Sequence, residues 1–150
     1  MFVKIYTDGA ARGNPDGPGG YGTVLEYVDT KGQLHTKEIS QGYKKTTNNR
    51  MELTAVIMGL EALKEPCKVT VVTDSKYVSD AVTKGWAEGW RKKGWKRSGG
   101  EPALNPDLWE RLLNLLAVHE VKFQWIKGHA GHPENERCDA MAVSEWQKLK

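Results

Sequence analysis

Two stretches of this chain end in the same way, and few architectures accommodate both. Val3 and Ile5 alternate with polar neighbours through Lys4-Ile5-Tyr6-Thr7-Asp8-Gly9, and residues 69–76 read Val-Thr-Val-Val-Thr-Asp-Ser-Lys, closing on Thr73, Asp74 and Ser75. Each is a strand pattern that delivers an aspartate where the backbone leaves the core. Laid side by side, the two strands bring Asp8 and Asp74 together as carboxylates that repel each other unless a cation sits between them. The pair therefore reads as the start of a metal site, carried by a sheet in which these strands are neighbours.

The segments between them fill in that sheet. Gly17, Gly19 and Gly22 satisfy G-x-G-x-x-G, but residues 23–28 have the composition of a strand, so no helix N-terminus follows to hold a pyrophosphate. The glycine-rich run over residues 10–20 instead predicts a wide turn before a second strand. A hairpin turn at residues 29–32 and a third strand over 34–40 complete an antiparallel meander. A helix is expected over residues 51–64, with Asn49 and Glu52 spaced as a capping box and Pro66 ending it. Leu53, Val56, Leu60 and Leu63 form its apolar stripe, with Glu52 at the edge of that stripe. A short helix over 75–83 follows, then one over 107–117 capped by Asn105-Pro106, with Leu108, Leu112, Leu115 and Leu116 facing inward. A last strand over 121–126 leads to a helix opened by Pro133. The expected architecture is one α/β domain over residues 1–150, a five-stranded mixed sheet with strands 1–3 antiparallel and strands 4 and 5 parallel, flanked by helices. Sites in such sheets form at the carboxyl ends of strands where the strand order reverses, which again favours Asp8 and Asp74.

The final helix carries an anomaly. Cys138, Ala142, Val143, Trp146 and Leu149 form one apolar stripe, and Asp139 lies within it. A buried carboxylate without a partner costs several kcal/mol or stays protonated, so Asp139 requires a salt bridge or a functional cation. Charge is also unevenly distributed. Residues 84–97 hold a local +5 within a net +3 and contain Trp86, Trp90 and Trp95, half of the six tryptophans, which points to a polyanionic partner. No apolar run approaches the roughly 20 residues of a membrane span, no export leader is evident, and Cys67 and Cys138 are the only thiols. These features lead to the expectation of a cytoplasmic protein with reduced cysteines.

Asp8, Glu52, Asp74 and Asp139 thus stand out independently. Together with Tyr6-Thr7-Asp8-Gly9, Asn48-Asn49-Arg50-Met51-Glu52-Leu53, Thr73-Asp74-Ser75 and Gly128-His129-Ala130-Gly131-His132-Pro133-Glu134-Asn135-Glu136, they closely resemble the bacterial type 1 ribonuclease H family over nearly the whole chain. The resemblance implies the ribonuclease-H-like fold and hydrolysis of the RNA strand of RNA/DNA hybrids, leaving 5′-phosphate and 3′-hydroxyl ends. It implies two Mg²⁺ ions, with Mn²⁺ as a usable substitute, bound by Asp8, Glu52, Asp74 and Asp139. His129 would assist proton transfer or product departure, and Glu136 would help hold a departing metal-bound water. Substrate contacts would come from Asn14, Asn48 and Asn49 in the minor groove, and from Lys45, Thr47 and Asn105 at a DNA-strand phosphate. Lys76 stands where relatives often carry glutamine, and Asp16 enlarges the Gly-Asn-Pro turn by one residue. The strip with Trp86, Trp90, Lys92, Lys93 and Lys96 matches the family's basic protrusion, its lysines meeting phosphate and its tryptophans either touching substrate or anchoring a helical arm. The implied protein is a monomer whose partner is the hybrid duplex, with no membrane association.

Three other readings use the same residues. A metal-independent ribonuclease with His129 and His132 as an acid-base pair predicts activity in chelator and cyclic phosphate products. A zinc site from His129, His132 and Cys138 lacks a fourth ligand of the usual spacing. A non-catalytic hybrid-binding module would use the basic strip alone, yet it gains nothing from four acids in its groove.

Overall fold

In the computed structural model, residues 1–12, 17–97, 99–128 and 131–149 are described. Strands β1 (Phe2–Ala11), β2 (Gly17–Val28) and β3 (Leu34–Thr46) pair as the expected antiparallel meander. Asp29 closes the β2–β3 turn, its Oδ1 accepting from Lys31 N at 2.8 Å and Gln33 N at 2.9 Å. Strands β4 (Lys68–Thr73) and β5 (Glu120–Trp125) join in parallel beyond β1, giving the order β3-β2-β1-β4-β5. This is the five-stranded mixed sheet that the sequence implies.

Helices α1 (Asn48–Glu61), α2 (Lys76–Thr83), α3 (Trp86–Lys92), α4 (Pro106–Val118) and α5 (Pro133–Gln147) form the outer layers. The larger core packs α1, α2 and α4 on one sheet face, around Ile5, Leu53, Ile57, Val71 and Trp109. On the other face Cys138 and Met141 of α5 pack against Tyr6, Val24 and Val72. Successive strand residues point to opposite faces. The sheet is therefore covered on both sides, and α1 and α5 approach the end of β1 from opposite directions.

Several local features differ from the sequence reading, each for a packing reason. The strands run into the glycine-rich segment, with β1 continuing to Ala11 and β2 beginning at Gly17, so Gly17, Gly19, Gly20 and Gly22 lie in paired strand rather than in a wide turn. A Cβ at Gly22 would sit 2.3 Å from the Cys138 carbonyl oxygen, because the backbone of α5 rests directly on β2. Close backbone approach overrides the poor strand propensity of glycine. The enlarged turn around Asp16 lies outside the described residues.

Helix α1 starts earlier than the Asn49 capping box places it. Thr47 is the N-cap, extended at φ −124° and ψ 161°, and its Oγ1 accepts from Arg50 N at 3.2 Å. The helix ends at Glu61 with Ala62 as C-cap, before Lys64. Asn105 does not cap α4 with its side chain; it adopts a left-handed backbone at φ 58° and its amide turns to other partners. The inward face of α4 is Leu108, Trp109, Leu112 and Leu113, with Leu115 and Leu116 only half-buried. Leucine spacing hides Trp109, whose burial is possible because its Nε1 donates to the Tyr77 hydroxyl at 2.8 Å. On α5, Met141 joins the buried stripe while Leu149 is exposed and Val143 half-buried. Within the basic strip, α3 is an additional short helix.

Register fixes the rest. β1 and β4 pair with Tyr6 opposite Val72, and the same offset carried two residues further sets Asp8 opposite Asp74. There the strands part: β4 ends at Thr73 while β1 continues alongside β2.

Replacing Gly22 with alanine is expected to lower unfolding free energy by about 1–3 kcal/mol, since the new methyl must displace α5 backbone. Gly89 of α3 has nothing within 4 Å of a built Cβ, so Gly89→Ala is expected to be neutral or stabilising by about 0.5–1 kcal/mol. Urea denaturation of the two variants measures both, and equal effects would contradict the packing argument.

Candidate metal centre

Each of the four acids is delivered by a different element. Asp8, 9% exposed, projects near the end of β1, with Gly9 N donating to its Oδ1 at 2.9 Å. Glu52 arrives from the inner face of α1 and is 5% exposed. Gly9 makes that approach possible, because a Cβ there would lie 2.5 Å from Glu52 N. Asp74 follows β4, its peptide carbonyl accepting from Trp125 Nε1 at 3.0 Å. A Cβ at Gly128 would come within 2.9 Å of Asp74 Oδ2, so the loop after β5 closes against that carboxylate. Asp139 reaches Asp8 from α5 on the opposite face, within hydrogen-bonding range. One carboxylate oxygen from each of Asp8, Glu52 and Asp74 lies within 4.8 Å of the others.

The electrostatics of this arrangement are unfavourable without a counter-ion. Among the described residues, no lysine, arginine or histidine forms an ion pair with any of the four acids. The salt-bridge explanation for Asp139 is therefore not met among them. Burial, then the charges of Asp74 and Asp139, push the Asp8 carboxyl up to about 8. Burial, then Asp8 and Asp74, likewise hold the Glu52 carboxyl well above its ordinary range. Glu52 Oε1 is buried with no hydrogen-bond partner, an orphaned acceptor aligned with other carboxylates. An all-oxygen anionic donor set with such an orphan fits a hard divalent cation.

A groove of about 430 Å³ leads from Asp8, Glu52, Asp74 and Asp139 past Asn48, Asn49, Lys76 and Tyr77. Asn48 and Asn49 are in the first turn of α1, and Lys76, the first residue of α2, holds its Nζ 5.5 Å from the centre of the Trp125 ring. Thr47 and Asn105 do not border this groove directly, but both are bonded to Arg50, and Lys45 is exposed near the end of β3. The basic strip lies apart from the groove. Trp86 is 46% exposed beneath Lys84, whereas Trp90 is half-buried edge-on to Trp109, with ring centres 6.0 Å apart. Trp90 therefore anchors α3 to α4, and Lys92, Lys93 and Lys96 are exposed with no ion pair among the described residues. His129 and Asn14 lie outside the described residues. Cys138 is buried, its thiol donates to Tyr6 O at 3.2 Å and burial pushes its pKa up, which removes it as a zinc ligand.

Two contributions escape sequence reasoning. Asn135 donates through Nδ2 to Val72 O at 3.3 Å and reaches Thr7 O at 3.5 Å, spanning the point where β1 and β4 part. It sits inside a quoted motif, but nothing in its spacing reveals carbonyls contributed by two distant strands. Arg50 and Tyr77, which join α1, α2 and α4, are silent in sequence for the same reason.

Comparison with known proteins agrees with this geometry. Residues 2–147 match the RNase H family model. The chain is 62% identical over 144 residues to a ribonuclease H of Lachnoclostridium phytofermentans, covering 96% of this chain and 91% of that one. It is 63% identical over 142 residues to a ribonuclease H of Desulforamulus reducens, covering 95% and 86%. Among solved structures, LC9-RNase H1, described as a type 1 RNase H with the type 2 active-site motif, superposes with a TM-score of 0.87 at 33% identity, covering 99% of this chain and 74% of that chain.

The raised carboxyls give the metal-free protein a defined pH dependence. Asp8 moves from an ordinary 3.8 to about 8 on folding, so the native state binds more protons across that interval. Stability is therefore fully present below about pH 4 as far as this group is concerned, and declines as pH rises toward 8. Between pH 5 and pH 8 the metal-free Tm is expected to fall by roughly 3–8 °C through this cluster. Asp8→Asn should flatten the decline, and divalent ions should restore Tm more strongly at pH 8 than at pH 5. A metal-free Tm that rises over this range in wild type but not in Asp8→Asn would contradict the assignment.

Proposed function

The chain belongs to the ribonuclease H family, and on that premise we propose that it is a single-domain, metal-dependent endoribonuclease that hydrolyses the RNA strand of RNA/DNA hybrids, leaving 5′-phosphate and 3′-hydroxyl ends. One observation carries the reading: four carboxylates from four elements converge without a protein cation among the described residues, and a buried Glu52 oxygen among them has no partner. A polyanion-binding surface without catalysis has no use for that arrangement, since it would repel the ligand.

Asp8, Glu52, Asp74 and Asp139 would hold two Mg²⁺ ions, with Mn²⁺ as a substitute, and the chemistry supplied there would be activation of an attacking water and neutralisation of charge at the scissile phosphate and departing 3′ oxygen. The chain's own residues do the rest. Burial of Asp8 and Glu52 excludes bulk water from the carboxylates and strengthens their hold on cations. Asn48 and Asn49, in the groove beside the acids, offer amides to base edges and ribose hydroxyls of the minor groove. Asn14 contributes a further amide to the same minor-groove contacts. Lys76 supplies a cation at the groove rim next to Asp74. Lys45, Thr47 and Asn105 grip a phosphate of the DNA strand. Lys92, Lys93 and Lys96 extend the phosphate track, with Trp86 exposed at the start of α3 and Trp90 holding that helix in place. Phosphate contacts of this kind give affinity without sequence choice, as suits an enzyme that reads strand type. His129 moves a proton at the leaving group or assists product departure. Glu136, which lines a small cavity with Asp8, Asp74 and Asp139, holds a water released there. The protein acts as a monomer in the cytoplasm; among the described residues no helix is long and apolar enough to cross a membrane.

Labelled RNA/DNA duplex, RNA/RNA duplex and single-stranded RNA, each with Mg²⁺ and with chelator, test the reading directly. Cleavage is expected for the hybrid with Mg²⁺ alone, and cleavage that persists in chelator would overturn it. Asp74→Asn should lower cleavage by more than about 100-fold while leaving the metal-free Tm unchanged or higher at neutral pH. A clear fall in that Tm would make Asp74 a structural residue. Replacing Lys92, Lys93 and Lys96 together should raise KM more than it lowers kcat and flatten the salt dependence of binding; an unchanged salt slope would take the strip out of the substrate path.

A further inference from the structure

We propose that Arg50 is a positioning residue that orients Thr47 and Asn105 together, so that each keeps a hydrogen to donate to an incoming phosphodiester oxygen. This rests on the assignment of those two residues to a phosphate of the DNA strand.

Arg50 touches both partners through different groups. Its backbone N–H donates to Thr47 Oγ1 at 3.2 Å, occupying an acceptor site on that hydroxyl. Its Nη1 donates to Asn105 Oδ1 at 3.2 Å. A guanidinium has no acceptor, so the oxygen end of the Asn105 carboxamide must face Arg50 and the nitrogen end must face away. That nitrogen donates one hydrogen to the Tyr77 hydroxyl at 3.2 Å, and its second hydrogen remains. Tyr77 is itself fixed by Trp109 Nε1 at 2.8 Å. One acceptor site on Thr47 and the Asn105 carbonyl oxygen are thus engaged by Arg50 while each group keeps a hydrogen to donate, the polarity that suits an anion.

Arg50 is not itself the phosphate ligand. Nη1 and Nη2 reach the Asp107 carboxylate at 3.0 and 2.7 Å, a bidentate pair that pins the fork and neutralises its charge. The backbone of Asn105 adds a second indication. A non-glycine residue at φ 58° is unusual, and this one forgoes capping α4 to keep its amide between Arg50 and Tyr77. Lysine at position 50 could not hold Asp107 in bidentate fashion and Asn105 at the same time, because an ammonium lacks the planar fork.

The test uses the full chain and hybrids in which single DNA-strand linkages are replaced, one at a time, by neutral methylphosphonates. For wild type, one linkage is expected to raise KM by about 10-fold when neutralised, with kcat nearly unchanged. Thr47→Ala and Asn105→Ala should each abolish most of that linkage-specific penalty. Arg50→Lys should raise KM on the unmodified hybrid by about 5-fold, leave kcat within about twofold, and reduce the same penalty to about twofold or less. Asp107→Asn should act in the same direction more weakly. Loss of Tm in these variants would accompany either a positioning role or a helix-to-helix strut, so the linkage-specific coupling decides. If Thr47→Ala and Asn105→Ala retain the penalty, the phosphate assignment fails and this proposal with it. If they lose it while Arg50→Lys retains it, Arg50 is only a strut between α1 and α4.

Discussion

Mutual repulsion among Asp8, Glu52, Asp74 and Asp139 is the constraint around which the molecule is built. Burial and neighbouring carboxylates push the Asp8 and Glu52 carboxyls above their ordinary range, like charges favour separation, and none of the four is ion-paired to a protein cation among the described residues. What keeps them together is backbone geometry, set by strand register at Asp8 and Asp74 and by helix seating at Glu52 and Asp139. The energy that assembles the site comes from two apolar cores, one on each sheet face. A strained, cation-demanding centre of this kind is what a metal-dependent hydrolase requires, because an ion bound there replaces both the protons and the missing counter-charge.

Close backbone approach turns that requirement into a fold. Gly9 lets the first turns of α1 settle against β1, and Gly22 lets α5 lie on β2, so two carboxylates reach one point from opposite sides of the sheet. Side chains at either position would hold the helices away and widen the carboxylate cluster. Asn135 performs a related task where β1 and β4 part, offering its amide to carbonyls at the strand ends. The placement of the carboxylates here depends on residues that carry no charge of their own.

The surface around the acids follows a different logic. The groove beside the acids is bordered by the amides of Asn48 and Asn49, while Lys92 ends a separate helix, α3, anchored by Trp90 against Trp109, and Lys93 and Lys96 follow it. Separation of this kind keeps the strip's positive charges away from the acidic cluster, so neither neutralises the other. Arg50, Asn105, Tyr77 and Trp109 tie α1, α2 and α4 into one unit between these regions. The placement of Thr47 and Asn105 relative to the carboxylates is thereby held by contacts between helices.

Sequence by itself determined the element types, the antiparallel meander, the likeness to ribonuclease H and the four acids, because each leaves a local mark. A strand that stops at an aspartate, or a carboxylate inside an apolar stripe, violates a pattern that can be read within a dozen residues. Tertiary structure alone decided that the glycine-rich run is paired strand, that Thr47 and not Asn49 caps α1, and that Trp109 belongs to the core. It alone also joined Arg50 to Asn105 and Asp107, and Asn135 to Thr7 and Val72. Propensity and spacing describe a residue's own neighbourhood along the chain, whereas the contacts of Arg50 and Asn135 join residues 55 to 128 positions apart, brought within a few ångströms only when the helices docked on the sheet.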